Sequence, residues 1–141
     1  MPKLTNACYL FNITLLLVED DDSVRELMLG ILNQYAFKDI YCAIDGKDGL
    51  ENYKYYLPDI VITDYNMPLS NGLEMSKHIK EHNLDIPIIL ITAMTDKDTI
   101  IEAINVGLDG YLFKPLDMHK LSFLIEKHAK KVLLQKNFQF L

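Results

Sequence analysis

The chain is 141 residues long, half of them hydrophobic and about a quarter charged, the composition of one ordinary globular domain. Its net charge of −6 argues against nucleic acid as a direct partner, because phosphate backbones are bound by clustered Lys and Arg. The two cysteines, Cys8 and Cys42, make no C-x-x-C and read as reduced thiols, and no apolar run is long enough to cross a membrane.

Residues 1–12 carry no assignable pattern, but Asn6 and Asn12 interrupt the apolar positions, and an acidic block stands where a signal-peptide cleavage site would be. The expected location is cytoplasmic. Ile13–Glu19 is the first apolar run. After it, Val24, Leu27, Met28, Ile31 and Leu32 recur at steps of a helical period. Ser23 and Glu26 have capping-box spacing, which predicts a helix start near Asp22 or Ser23. Further runs follow at Asp39–Ile44, Ile60–Asp64, Ile86–Thr92 and Gly110–Lys114, each leading into a helical segment. The last segment carries the stripe Leu121, Leu124, Ile125, His128 and Val132. The runs at 13–18 and 86–91 are nearly all apolar, as in strands buried on both faces. Strand and helix alternating with short connections predict an α/β, doubly wound parallel sheet, with no internal linker.

Open parallel sheets bind ligands outside the carboxyl ends of their strands. The runs end there in Glu19, Asp20, Asp21 and Asp22, in Asp64, in Thr92 and in Lys114; the second run contributes nothing of obvious chemistry. Two carboxylates about 4 Å apart repel by roughly 4 kcal/mol at an effective dielectric of about 20, so such a group takes up a proton or a cation. Hard oxygen ligands without imidazole or thiolate suit Mg²⁺. With Lys114 and Thr92 added, the set can neutralise the equatorial oxygens of a phosphoryl group, and Asp64 is the candidate carboxylate nucleophile. Taken singly, these residues read more plainly as helix-end charge, a turn-forming Asp, a β-branched Thr and a solvated Lys. Their conjunction at successive strand ends carries the reading.

The stretches "LLLVEDDDSVREL", "IVITDYNMPLSNG", "IPIILITA" and "GLDGYLFKP" resemble, in that order, the receiver domain of two-component response regulators, over roughly residues 13–131. Asp64, Met67, Pro68 and Gly72 fit the family's D-x-x-M-P-x-x-x-G. The resemblance implies a (βα)5 flavodoxin-like sandwich with strand order 2-1-3-4-5. It implies that Asp64 is the phosphoacceptor. Asp20, Asp64 and the backbone carbonyl of Asn66 would bind Mg²⁺, and Glu19 would act through a metal-bound water. Lys114 and Thr92 would contact the phosphoryl group, and Thr92 and Tyr111 would form the switch. Lys114–Pro115 looks like the family's cis peptide. Asn66 and Met94 occupy the positions that tune phosphoryl lifetime, and an apolar Met94 implies slower self-dephosphorylation than in Met94→Glu. Phosphorylation would repack the surface of the fourth helix, fifth strand and fifth helix, with residues 95–110 as the moving segment. The implied partner is a sensor histidine kinase or a phosphotransfer protein, and the implied chemistry is confined to the domain's own phosphorylation and dephosphorylation rather than an enzyme's turnover.

The chain carries no output domain, so the expectation is no DNA binding by itself. A stand-alone signalling protein, a homodimer and a piece of a longer regulator remain open. Residues 1–12 form an extension, and residues 132–141, "VLLQKNFQFL" in sequence from Val132, read as an extension of the last helix or a linker. Three rivals stand behind this reading. "HIKEH" (His78–His82) spells a zinc-peptidase pattern but sits on an outer helix without a third ligand. A receiver-like module without phosphorylation usually lacks an acid, the Thr or the Lys, all present here. A nucleotide-binding fold lacks its glycine-rich loop in this chain.

Overall fold

The computed structural model describes residues 8–93 and 97–138. A 3-10 turn, Cys8–Asn12, leads into β1 (Thr14–Val18), α1 (Asp22–Leu32), β2 (Asp39–Ala43), α2 (Gly46–Tyr56) and β3 (Ile60–Asp64). Then come α3 (Gly72–His82), β4 (Ile88–Thr92), α4 (Lys97–Val106), β5 (Gly110–Phe113) and α5 (Met118–Phe138). The strands form one parallel sheet in the order β2-β1-β3-β4-β5, the order that the sequence resemblance implies. The reversal of strand order falls between β1 and β3, so their carboxyl ends flank the crevice where such sheets place ligands.

The two-residue alternation of a strand decides which core each side chain joins. Leu15 and Leu17 of β1, Ile60 and Ile62 of β3, and Ile89 and Ile91 of β4 pack against Met28 and Leu32 of α1 and Leu121, Ile125 and Ala129 of α5. Leu16, Val18, Val61 and Ile88 face the other way, against Tyr53, Met75 and Ile79 of α2 and α3. Every residue of β3 and β4 is buried, which is why those runs lack the polar alternation of a half-exposed strand.

Strand limits are shorter than the apolar runs at several ends. Glu19 and Lys114 lie just beyond β1 and β5, and β4 starts at Ile88, because Pro87 offers no N–H to the ladder. The cap of α1 is Asp21, not Ser23: its side chain accepts from the Val24 N–H at 3.0 Å, filling the place that the capping-box spacing suggested for Ser23. The described segment before β1 is also more structural than its sequence indicates. Leu10 is fully buried in the α1/α5 core, and the Asn12 carbonyl accepts from Lys136 Nζ at 3.0 Å. Lys136 also reaches Asp59 at 2.9 Å, and Asp59 accepts from the Thr14 N–H at 2.9 Å. The last turns of α5 are thereby tied to the amino-terminal edge of the sheet.

The α5 stripe packs inward as its spacing predicts, and it carries His128 with it, 4% exposed. Neither ring nitrogen makes a well-formed hydrogen bond among the described residues, and burial pushes the imidazole below its ordinary pKa. The Asp109 charge and backbone oppose that shift, while Lys127 and Lys131 add to it. The unfolded chain therefore takes up a proton near pH 6.5 that the native state refuses, so this residue's contribution is complete above that pH and declines as pH falls. The stability difference between wild type and His128→Leu should shift against the wild type from pH 7.5 to pH 5, by at most about 1.4 kcal/mol per pH unit. Urea unfolding at each pH measures it; a difference independent of pH contradicts a neutral buried imidazole.

Candidate functional site

Register assembles the site. Val18 pairs with Thr63, so the chain leaving β1 runs beside Asp64 at the end of β3, and Asp64 in turn lies next to Ile91, one residue before Thr92. Neighbouring parallel strands are about 4.8 Å apart, which brings their terminal side chains within contact distance although they are far apart in sequence. Carboxylate oxygens of Glu19, Asp20 and Asp64 all fall within 4.8 Å of one another. Glu19 and Asp64 are buried, whereas Asp20 is exposed. Lys114 reaches in from beyond β5, its Nζ 3.3 Å from Asp64 Oδ1 and 3.8 Å from Glu19 Oε1.

The electrostatics are those of a site short of positive charge. Glu19 is pushed up from 4.5 to about 7, first by burial and next by the negative charge of Asp64; the Asp21 N–H and the Lys114 ammonium pull the other way. One ammonium facing the trio leaves it net negative. The donor set is all hard oxygen, with no His or Cys, and it fits Mg²⁺ or a similar divalent cation.

The loop after β3 is built around close contacts. The Tyr65 N–H donates to Asp64 Oδ1 at 3.0 Å, and the Gly72 N–H returns to the Tyr65 carbonyl at 2.9 Å. A Cβ on Gly72 would lie 2.2 Å from the Asp64 carbonyl oxygen, so the glycine of the D-x-x-M-P-x-x-x-G pattern is required by that approach. Asn71 caps α3, and Leu69 takes a left-handed conformation with φ of 70°.

Among the other predicted residues, Thr92 is buried at the end of β4, and its carbonyl accepts from the Lys114 N–H at 3.0 Å. Lys114–Pro115 is cis. Asn66 is exposed in the loop after β3. Tyr111 sits on β5 beside Leu90 and is half exposed, outside the carboxylate cluster. Met94 and the start of segment 95–110 lie outside the described residues. Arg25 went unnoticed in the sequence: its guanidinium donates to the Glu19 carbonyl at 2.9 Å and pairs with Asp22, fastening α1 to the acidic turn. Its position one helical turn past the acids was the available signal. The "HIKEH" histidines stay apart from this chemistry. His78 lies 3.6 Å from Glu81, and His82 Nδ1 lies 3.0 Å from the His78 carbonyl oxygen. The one group among the described residues suited to a metal is Glu19, Asp20 and Asp64. Cys42 is a free thiol, and no described helix is long and apolar enough to cross a membrane.

Comparison with known proteins places the chain by its sequence and its fold. The sequence model of the response regulator receiver domain matches residues 15–126. The transcriptional regulatory protein RprY of Bacteroides fragilis is 34% identical over 126 residues, covering 87% of this chain and 52% of RprY. The chemotaxis protein CheY-3 of Vibrio cholerae is 32% identical over 118 residues, covering 82% of this chain and 91% of CheY-3. The N-terminal domain of a Wolinella succinogenes protein superposes with a TM-score of 0.81 at 31% identity, over 88% of this chain and 99% of that one. The chain spans 27% of the Escherichia coli regulator AtoC and about half of RprY.

Two outcomes test the geometry. Gly72→Ala should destabilise the fold by about 1–3 kcal/mol, because the added methyl meets backbone that cannot step aside; unchanged urea unfolding would contradict the close approach. In EDTA, Asp64→Asn should stabilise the fold by on the order of 1 kcal/mol, the relief of repulsion with Glu19 less the lost Lys114 contact. Excess Mg²⁺ should erase that gain by stabilising the wild type alone. A variant no more stable than wild type in EDTA contradicts the repulsion.

Proposed function

The chain belongs to the response regulator receiver domain family, and on that premise we propose that it is a phosphorelay receiver that accepts a phosphoryl group on Asp64. The observation that carries this reading is the ammonium of Lys114 held 3.3 Å from a buried strand-end carboxylate that also belongs to an acidic trio. Glu19, Asp20, Asp64 and the Asn66 carbonyl are the residues that would hold Mg²⁺. When bound, the cation supplies positive charge against the carboxylates and the incoming phosphoryl oxygens.

An oxygen of the Asp64 carboxylate forms the new bond to phosphorus, and the bond from phosphorus to the donor breaks, its electron pair leaving with the donor. On transfer from phosphohistidine that donor is the imidazole nitrogen of a sensor histidine kinase or phosphotransfer protein. Burial serves this step by excluding water that would compete for the phosphoryl group. Lys114 orients and neutralises one phosphoryl oxygen, and the Thr92 hydroxyl hydrogen-bonds another. The added charge draws Thr92 inward and Tyr111 follows from its half-exposed position, which repacks the surface of α4, β5 and α5. Asn66 and Met94 set how readily water reaches the acyl phosphate. The domain works in the cytoplasm, alone, as a homodimer or joined to an output domain, residues 13–131 forming the receiver and residues 1–12 and 132–141 its extensions.

Incubation with acetyl phosphate and Mg²⁺ should add one phosphoryl group to the intact mass. EDTA should abolish the gain, and so should Asp64→Asn. A gain that persists in Asp64→Asn or in EDTA contradicts the assignment, and no gain under any condition favours a receiver-like module that only binds partners.

A further inference from the structure

The β2 edge of the sheet carries an aromatic face that phosphoryl transfer does not use. β2 has a neighbour on one side only, and Tyr41 points from it toward the core shared with α2. There Tyr41 stacks on Tyr56 of α2, with ring centroids 4.0 Å apart and planes 15° apart, and Tyr55 meets Tyr56 edge-on at 4.8 Å. Tyr55 is 80% exposed and Tyr56 45%, whereas Tyr53, on the inner side of the same helix, is buried. The outer rings therefore add little to the core; with Tyr41 they form a contiguous aromatic surface in water. An open depression of about 340 Å³ beside the rings is lined by Asp48, Glu51, Asn52, Tyr55 and Tyr56. The Asp48 carboxylate is already engaged, accepting from the Ile44 N–H and the Asn52 amide, both at 3.0 Å. Glu51 is exposed, and it forms no ion pair among the described residues. Lys47 and Lys54, about one turn on either side of it, are seven residues apart and share the flank of α2 away from Tyr56.

We propose that this face binds an arginine-bearing peptide segment of a partner protein, a guanidinium lying flat on Tyr55 and pairing with Glu51. A guanidinium is planar, stacks on aromatic rings and forks two N–H donors onto a carboxylate, whereas a lysine ammonium meets the same groups only as a point charge. Tyrosine and arginine are also the side chains concentrated at the energetic centres of protein interfaces. The ring stack is assembled before the partner arrives, so docking orders few side chains. A second copy of this chain cannot supply the guanidinium. Its single arginine, Arg25, donates to the Glu19 carbonyl and pairs with Asp22. The face lies outside the acidic trio of Glu19, Asp20 and Asp64, and its use does not require Asp64 to be the phosphoacceptor.

Fluorescence anisotropy with the full chain tests this, using labelled hexa-arginine and hexa-lysine peptides of equal charge. Saturating Mg²⁺ keeps the peptides off the acidic trio. The wild type should bind hexa-arginine about fivefold more tightly than hexa-lysine. Tyr55→Ala changes no charge, at a position exposed enough to keep the fold, and should remove that preference by weakening hexa-arginine alone. Glu51→Gln should weaken hexa-arginine several-fold. Glu102→Gln, which removes the same charge from α4 near the other edge of the sheet, should leave it nearly unchanged. No detectable binding, no arginine preference, or a preference that survives Tyr55→Ala overturns the inference. Equal weakening by the two Glu variants also overturns it, since attraction to net charge alone gives that result. Sedimentation velocity without peptide covers the remaining occupant. Self-association should be the same in wild type and Tyr55→Ala; a dimer that Tyr55→Ala dissociates assigns the face to a second copy and overturns the inference.

Discussion

The structure turns on repulsion that the fold imposes rather than avoids. Parallel pairing of β1 with β3 fixes the ends of both strands side by side, with Glu19 and Asp20 just past β1 and Asp64 at the end of β3. In a flexible chain these carboxylates would separate; here Leu15 to Val18 and Ile60 to Ile62 are buried on both faces of the sheet and hold them together. The cost is visible in Glu19, pushed up to about 7 by burial and by Asp64. Lys114 offsets part of it, and a divalent cation is the hard-ligand complement of what remains. A site poised in this way gains from anything that brings positive charge.

The surrounding structure can be understood as support for that arrangement. Gly72 allows the β3–α3 loop to fold back onto the Asp64 carbonyl, and Asp21 and Arg25 fix the turn between β1 and α1. At the opposite end of the sheet, Asp59 joins Thr14 and Lys136, and Lys80 is buried against Asp109 at 3.1 Å. Buried ionic contacts of this kind are stable only with their hydrogen bonds filled, and Lys80 also donates to the Leu84 and Ile86 carbonyls. The charged pairs that hold the frame are thus separated from the acidic group at the carboxyl ends of the strands.

Much of this was readable from the sequence because the relevant patterns are local. Alternating runs gave five strands and their helices, and the acids, Thr92 and Lys114 stand at run ends, where a parallel sheet gathers them. Strand order came from resemblance, since periodicity says nothing about which strands are neighbours. α1 starts at Asp22, within the predicted start, but its cap is Asp21 and not the Ser23 of the capping-box spacing, because both residues fit a cap and only the backbone decides which side chain meets the Val24 N–H. The packing of Leu10 and the bond from Lys136 to the Asn12 carbonyl join opposite ends of the chain, and short-range patterning cannot register such a contact. His128 was legible as a stripe residue, but its desolvated ring was not.

The central claim is that the carboxylate at the end of β3, and no other, becomes the acyl phosphate. Borohydride reduction of the phosphorylated protein followed by tandem mass spectrometry tests it directly, since an aspartyl phosphate is reduced to homoserine. Homoserine at position 64 alone is the predicted result. Homoserine at position 20, 21 or 22, or reduction at several carboxylates, would contradict the account.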